Sequence, residues 1–341
     1  MKPLLFKKIY LSDGRLHYGS DGIMLLPPLV MAAIVYACEI TILSIGFTLT
    51  YLTAKIPNFA HGTYAGYGIY VNYTISKILG LNPYLSFPVA FLVGGSIGVI
   101  VYMLVIGVLT RMGSGAIVLT ISTIAIDIFL TALLYIYAYW LRDTFKTYTI
   151  FFILKEKDFQ IGGTPGIFFV ALTICIVTVV LLHAFLTKTR LGVSMRAVAE
   201  DPELASVLGI DVYRTQLFSW FLTGGLAALA GAMYPMWFQS HPAAGSFIIT
   251  SIMAGSLLGG MESVYGAIIG GFGVGLSEIL LTNRLQSIFG IWVGEYRPLI
   301  PMFFLIAVLL IQPRGLQGAY EWLTTSRKGI ELLSKLGIKV E

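Results

Sequence analysis

Charge is what this sequence has least of. Asp, Glu, Lys and Arg make up 11% of its 341 residues, against about 25% in an ordinary soluble domain. That deficit excludes a water-exposed surface over most of the chain, and a mean hydropathy of +0.85 excludes it again from the apolar side. Cysteine is nearly absent: Cys38 and Cys175 each lie inside an apolar run and read as packing residues rather than a disulfide or metal pair. The histidines, His17, His61, His183 and His241, are far apart and show no ligand spacing. There is no G-x-x-x-x-G-K-[ST] loop, so phosphate-loop ATP hydrolysis is not expected of this chain, and no H-E-x-x-H or C-x-x-C to hold a metal. No cofactor is expected. No basic patch is interleaved with aromatics, so nucleic acid is not an expected partner. The net charge of +5 reflects Lys and Arg flanking apolar runs. The opening "MKPLLFKKIYLSDGRLHYGSDG" has no long apolar stretch and does not read as a cleavable signal peptide.

What the chain has instead is apolar runs of spanning length, about 20 residues each. They lie at 28–53, 60–76, 84–109, 116–139, 166–187, 214–237, 264–282 and 297–312, with a shorter one at 246–260. The expected fold is all-α: a polytopic transmembrane bundle of nine spans, or eight if 246–260 only dips into the bilayer. A polar segment, 188–213, separates the first five runs from the rest. The expected organisation is a polar arm at 1–24, a transmembrane domain at 25–312 and a charged tail at 313–341. The 37 glycines fall largely inside the runs. Gly94-x-x-x-Gly98, Gly255-x-x-x-Gly259, Gly266-x-x-x-Gly270 and Gly271-x-x-x-Gly275 are spacings that let helix backbones approach closely where lipid supplies no drive to associate. Lys and Arg divide evenly between the two sides, so the positive-inside rule does not orient the bundle.

The stretch "KIPNFAHGTYAGYGIYV", 55–71, breaks the apolar pattern with Pro57, Asn58, His61 and Gly62. Non-helical backbone at membrane depth is tolerated only where protein buries it or where it lines a cavity. Either Asn58 and His61 face a solute, or the break is a packing corner in which Gly62 and Gly66 allow close approach and His61 bonds a carbonyl. Glu39, Asp127 and Glu278 are the acids well inside apolar runs, each in a separate helix. Such groups face the bundle interior. Glu39 and Asp127 are candidate solute or gating contacts. Glu278 reads better as an interhelical hydrogen-bonding group.

The most informative polar stretch is "KTRLGVSMRAVAEDPELASVLGIDVYRT", 188–215. Asp201 suits an N-cap, Pro202 the first helical position, and Glu203 the positive end of the helix dipole. Gly209 suits the stop. A short helix over 202–208 follows, with Ala205 and Leu208 on one face, and Ser194–Glu200 before it can also be helical. Such a helix outside a bundle either docks in a partner's groove or rests on the bilayer surface as a connector.

Three stretches, "IPNFAHGTYAGYGIYV", "RAVAEDPELASVLGIDVYRTQLFSWFLTGGLAALAGAM" and "LLGGMESVYGAIIGGFGVGLSE", resemble the permease subunits of branched-chain amino-acid ABC importers, in order and spacing. Asn58, Phe59, Ala60, His61 and Gly62 are similar to one of the family's two permease types. The resemblance implies a multi-pass cell-membrane protein without covalent chemistry of its own. It would be paired with a related second permease, two cytoplasmic ATPase subunits and an extracytoplasmic substrate-binding protein. It implies that 188–213 is cytoplasmic and docks on an ATPase through Glu200, Asp201, Glu203, Ala205, Leu208 and Gly209, although Leu204 departs from the usual Glu-Ala-Ala pattern. It implies a translocation path near the break, with Asn58, His61, Gly62, Glu39 and Asp127 as candidate lining. Three rivals stand beside it. One is a family member carrying urea, amides or another small polar solute. Another is an ion-coupled secondary transporter, which needs an inverted repeat that is not evident. The third is a membrane-embedded enzyme, which the lack of clustered acids and histidines disfavours.

Overall fold

The computed structural model describes residues 26–312 and 314–318. The expected arm at 1–24 and nearly all of the tail at 313–341 lie outside the described residues. Helix α1 is Pro28–Ala54. Its proline occupies the first turn, where the missing N–H costs nothing. It ends at Lys55, a left-handed cap with φ 55° whose N–H donates to Tyr51 O. Helix α2, His61–Tyr73, begins six residues later and loosens into a π turn, Thr74–Ile78. A continuous rod follows: a 3-10 turn at Pro83–Leu85, α3 at Ser86–Val101, a π turn at Tyr102–Ile106, and α4 at Gly107–Arg111. Next come α5, Ala116–Phe145, and a two-residue antiparallel hairpin of β1, Gln160–Ile161, with β2, Thr164–Pro165. The remainder is helical: α6 Gly166–Lys188, α7 Arg190–Glu200, α8 Pro202–Val207, α9 Val212–Met233, α10 Ala244–Phe247, α11 Ile249–Gly259, α12 Val264–Phe289 and α13 Leu299–Ile311.

Seven stretches of helix among the described residues are long and apolar enough to cross a bilayer alone. The expected runs at 60–76 and 246–260 became shorter α-helices, because one loosens into a π turn after Tyr73 and the other is split between α10 and α11.

Helix α1 is the axis. From Val35 to Thr50 every residue is buried, as expected of a helix that is apolar on all sides. Around it pack α12, α9, α6 and α11. Helices α2 and α3 pack against α9 and against each other. Glycines sit at these crossings. A Cβ on Gly68 of α2 would lie 1.9 Å from Ala228 O of α9, and one on Gly94 of α3 would lie 2.3 Å from Gly224 O. Gly259 and Gly266 oppose each other in the same way across α11 and α12. The glycine spacings of the sequence therefore mark backbone-to-backbone crossings. Helix α5 is peripheral: Ile117, Ile121, Ile128, Phe129 and Ile136 are exposed along it, the side expected to meet lipid or a partner. Cys38 of α1 and Cys175 of α6 are free, buried thiols.

The bundle has two distinct ends. One gathers Lys55, α7, α8 and the turn before α12, with Lys55 Nζ 3.7 Å from Glu262 Oε1 and Arg111 stacked 4.4 Å over Tyr213. The other carries the hairpin and the 150s segment. There Phe152 bridges Ser240 and Lys155 lies 5.0 Å over Trp237.

Candidate functional site

The break after α1 turns back into the bundle. His61 reaches Leu43, and the stretch from Leu43 to the end of α1 at Ala54 corresponds to about 16 Å of helix. Thr123 of α5 steadies the turn, accepting from Phe59 N at 3.2 Å and donating to Pro57 O at 3.3 Å. Asn58 Oδ1 accepts from Ala60 N at 3.1 Å, the local side-chain capping that asparagine favours.

His61 opens α2 and is fully buried. Its Nε2 lies 2.9 Å from Leu43 O. A carbonyl only accepts, so Nε2 carries the proton and Nδ1 is the acceptor. That Nδ1 has no partner among the described residues, and neither has Asn58 Nδ2. Phe47 and Tyr64 present ring edges to the imidazole. A Cβ on Gly62 would lie 2.3 Å from Gly245 O of α10. In this structure His61, Asn58 and Gly62 are thus enclosed by protein, in the geometry of a packing corner.

One turn into α2 the surroundings change. Thr63 donates to Asp127 Oδ1 of α5. Ser246 of α10 donates to the same oxygen at 3.1 Å. Thr131, one turn further along α5, lies 3.0 Å from Ser246 Oγ and 3.2 Å from Thr63 Oγ1. Asp127, Thr131 and Ser246 are half-buried. These four form a polar patch where α2, α5 and α10 meet, midway along a helix whose outer face is apolar. Sequence reasoning singled out Asp127 and missed the other three. Thr63 and Ser246 each lie directly beside a crossing glycine, Gly62 and Gly245, which is the signal that could have found them. Near this patch His241 is held between Phe151 and Phe247, and burial lowers its pKa.

The remaining acids converge on one residue. Glu278 of α12 takes an ion pair from Arg297 Nε at 2.6 Å and a hydrogen bond from Tyr36 Oη at 3.0 Å. The Arg297 guanidinium sits 4.2 Å over the Tyr36 ring. Glu39, 1% exposed, faces the same arginine, yet neither carboxylate oxygen has a hydrogen-bond partner among the described residues. The sequence placed Arg297 at the start of the last run, with nothing to mark its partners. Removing one partner of a buried ion pair costs about 3–5 kcal/mol. Arg297→Met is therefore expected to reduce the thermal stability of the purified protein sharply. The double variant Arg297→Met with Glu278→Leu is expected to recover most of it. Equal losses in both variants would show that the cost does not come from leaving Glu278 without its counter-charge.

At the other end, α8 forms as expected. Asp201 Oδ1 accepts from Glu203 N and Leu204 N at 2.9 and 3.0 Å, Pro202 opens the helix, and Gly209 adopts φ +84° beyond it. The helix ends one residue early, at Val207. One expectation fails: Ala205 and Leu208 do not share a face. Ala205 is 2% exposed and turned inward, with Ile210 N donating to its carbonyl, whereas Leu208 is 71% exposed. Leu208 is the cap residue, already past the last helical turn, so helical spacing no longer governs it. The outward apolar row is Leu204, Val207 and Leu208. Glu200 closes the preceding helix α7.

Residues 29–311 match the family model described as branched-chain amino acid transport system / permease component. The chain is 41% identical over 290 residues to a protein of Methanocaldococcus jannaschii named "Probable branched-chain amino acid transport permease protein LivH", covering 85% of this chain and 91% of that one. It is 28% identical over 298 residues to the "High-affinity branched-chain amino acid transport system permease protein LivH" of Salmonella typhimurium, covering 82% and 91%. Over 163 residues it is 32% identical to the "Fructose import permease protein FrcC" of Rhizobium meliloti, covering 46% and 43%. With seven membrane-length helices among its described residues in a glycine-seamed bundle, this chain belongs to the family of branched-chain amino acid transport permease components.

Proposed function

We propose that the chain is the membrane-spanning permease subunit of an ATP-driven importer of branched-chain amino acids. The observation that carries this reading is the 41% identity across 91% of a relative named for that transport. The transmembrane domain is 25–312, between a polar arm and a charged tail. All nine apolar helical segments cross in this reading, including α2 and the α10–α11 pair, and the break at 55–60 makes α1 and α2 two halves of an interrupted path-side element. The α7–α8 end is then cytoplasmic. The chain works beside a second, related permease. A binding protein delivers solute at the opposite end, and two ATPase subunits hold the α8 end. Their closure shifts the bundle between two states by contacting α8 differently in each.

Of the expected path residues, Asp127 is assigned the direct contact, because it and two of its hydroxyl neighbours, Thr131 and Ser246, are half-buried. Its carboxylate suits the ammonium group of an amino acid. Asn58, His61 and Gly62 set the position of α2, and Glu39 works from within the core. A small polar solute is the second reading, favoured by the 32% identity to a permease named for fructose import. ATP-dependent uptake of labelled leucine by vesicles holding the complete complex tests the two. Leucine, isoleucine and valine are expected to compete, while fructose and urea are not. Competition by fructose or urea alone would overturn the amino-acid reading.

The coupling assignment makes its own prediction. Leu204, Val207 and Leu208 are 57%, 83% and 71% exposed, an apolar row on a short rigid helix of the kind that fills a partner's groove. Val207→Glu is expected to abolish co-purification of the ATPases and transport while membrane insertion stays intact. Ala205→Glu acts differently: it drives a charge into the seat of α8 and unseats the helix. Undiminished ATPase association in Val207→Glu would remove α8 from the docking surface.

A further inference from the structure

A cavity of about 510 Å³ opens at the α7–α8 end, between the ends of α1 and α6, the face of α7, and the turn before α12. It falls within the ~300–1,000 Å³ of small-molecule sites. Its floor is apolar, made by Leu49, Leu52, Leu186 and Met195. Its rim is charged, with both signs on each side. On the α7 wall stand Arg196 and Glu200, one helical turn apart. Neither makes an ion pair or side-chain hydrogen bond with a described residue, and Arg before Glu at this spacing is the weaker orientation for closing on itself. Across from them Lys55 and Glu262 form a loose pair at 3.7 Å, with side chains 45% and 67% exposed. Two cations repel a metal ion. Two carboxylates repel a phosphate, a nucleotide or an acidic peptide. An apolar floor under an unpaired cation and an unpaired anion suits a molecule carrying ammonium, carboxylate and an apolar body together.

We propose that this cavity is a second amino-acid site, which binds a zwitterionic α-amino acid with an apolar side chain from the cytoplasmic side. Arg196 takes the carboxylate, Glu200 the ammonium, and the leucine floor the side chain. This inference rests on the cargo and orientation proposed above. The occupant bridges α7, which leads directly into α8, to the ends of α1 and α12. It therefore ties the docking helix to the bundle, and accumulated product slows its own import.

The test uses the complete complex in inside-out vesicles, with Cys38 and Cys175 replaced by alanine and Thr187→Cys as a reporter in the cavity wall. The rate of maleimide labelling at this position is measured with L-leucine, with leucinamide, which lacks the carboxylate, and with isocaproate, which lacks the ammonium. L-leucine is expected to slow labelling, and each analogue to need roughly tenfold or more higher concentration, the effect of losing one charge-assisted contact. Arg196→Gln and Glu200→Gln are expected to weaken protection by leucine to the same degree. No protection by leucine, or equal protection by the analogues, overturns the proposal. So does protection that depends on phosphatidylethanolamine in the vesicles and not on added amino acid, which would make the occupant a lipid headgroup. ATP-driven leucine uptake, measured on right-side-out vesicles of the same membranes, separates the two readings: uptake without protection refutes the second site and leaves the transport function standing, whereas protection without uptake does the reverse.

Discussion

Gly68→Leu is expected to leave almost no assembled protein in the membrane. The first side-chain carbon alone would come to 1.9 Å from Ala228 O and 2.8 Å from Ala228 Cα. Overpacking a core commonly costs about 1–3 kcal/mol when neighbouring side chains can move aside. Here the obstacle is the backbone of α9, which has no rotamer to change, so the helices must separate. Separation would also break the neighbouring contact at Gly231, whose added carbon would meet Ala65 O at 2.0 Å, and would release Asn72 Nδ2 from Ala232 O. Gly273→Leu is the control. It lies on α12, and nothing stands within 4 Å of its added carbon. Both variants make the chain more apolar by the same amount, so a difference in assembled protein, read by detergent size-exclusion chromatography, reports the crossing alone. Equal yields would mean that α2 and α9 do not touch as described.

Asp127→Ala is expected to lower leucine uptake per assembled complex by about tenfold or more, the loss of one charge-assisted hydrogen bond. Asp127→Asn is the informative companion. Asparagine keeps the shape and can still accept from Thr63 and Ser246, so a purely structural aspartate tolerates it. If the carboxylate meets the solute's ammonium, asparagine fails nearly as badly as alanine, while assembly is normal in both. His61→Ala is expected to behave in the opposite way. It removes the donor to Leu43 O inside a sealed corner, at a cost of about 1–3 kcal/mol, so assembly falls together with uptake. Full uptake in Asp127→Asn would remove Asp127 from solute contact. Normal assembly with lost uptake in His61→Ala would open the corner at 55–62 to the path.

Much of this arrangement could be read from residue order, and its limits have physical causes. The apolar runs gave the helices, since spanning length and composition need no tertiary information. The small-residue spacings gave the tight crossings for the same reason: a glycine every fourth position is a groove on one face, whatever fills it. The α8 cap was legible because Asp201, Pro202 and Gly209 act on their own backbone. Long-range pairing was not legible. Nothing local marks Arg297 as the counter-charge of Glu278, or Ser246 as a neighbour of Asp127 from 119 residues away. The facing of Ala205 against Leu208 was misjudged because a six-residue helix ends before its periodicity can be trusted. The character of the break at 55–60 was left open between a solute face and a packing corner, since the sequence shows the interruption but not what encloses it.

The glycine crossings have a mechanical consequence. A leucine knob seated in a hole must climb out before its helix can slide, so knobbed interfaces move by jumps. At the α3–α9 crossing the Phe91 and Phe221 rings sit against Gly225 and Gly95, but the glycine contacts of α2 with α9 and of α11 with α12 place backbone on backbone. Such a seam resists being pushed together and offers little resistance along its length. It acts as a bearing, along which a helix can shear by a fraction of a turn with its neighbours' rotamers unchanged. A thrust delivered at α8 and passed into α9 would then travel as displacement of whole helices instead of dissipating in side-chain repacking.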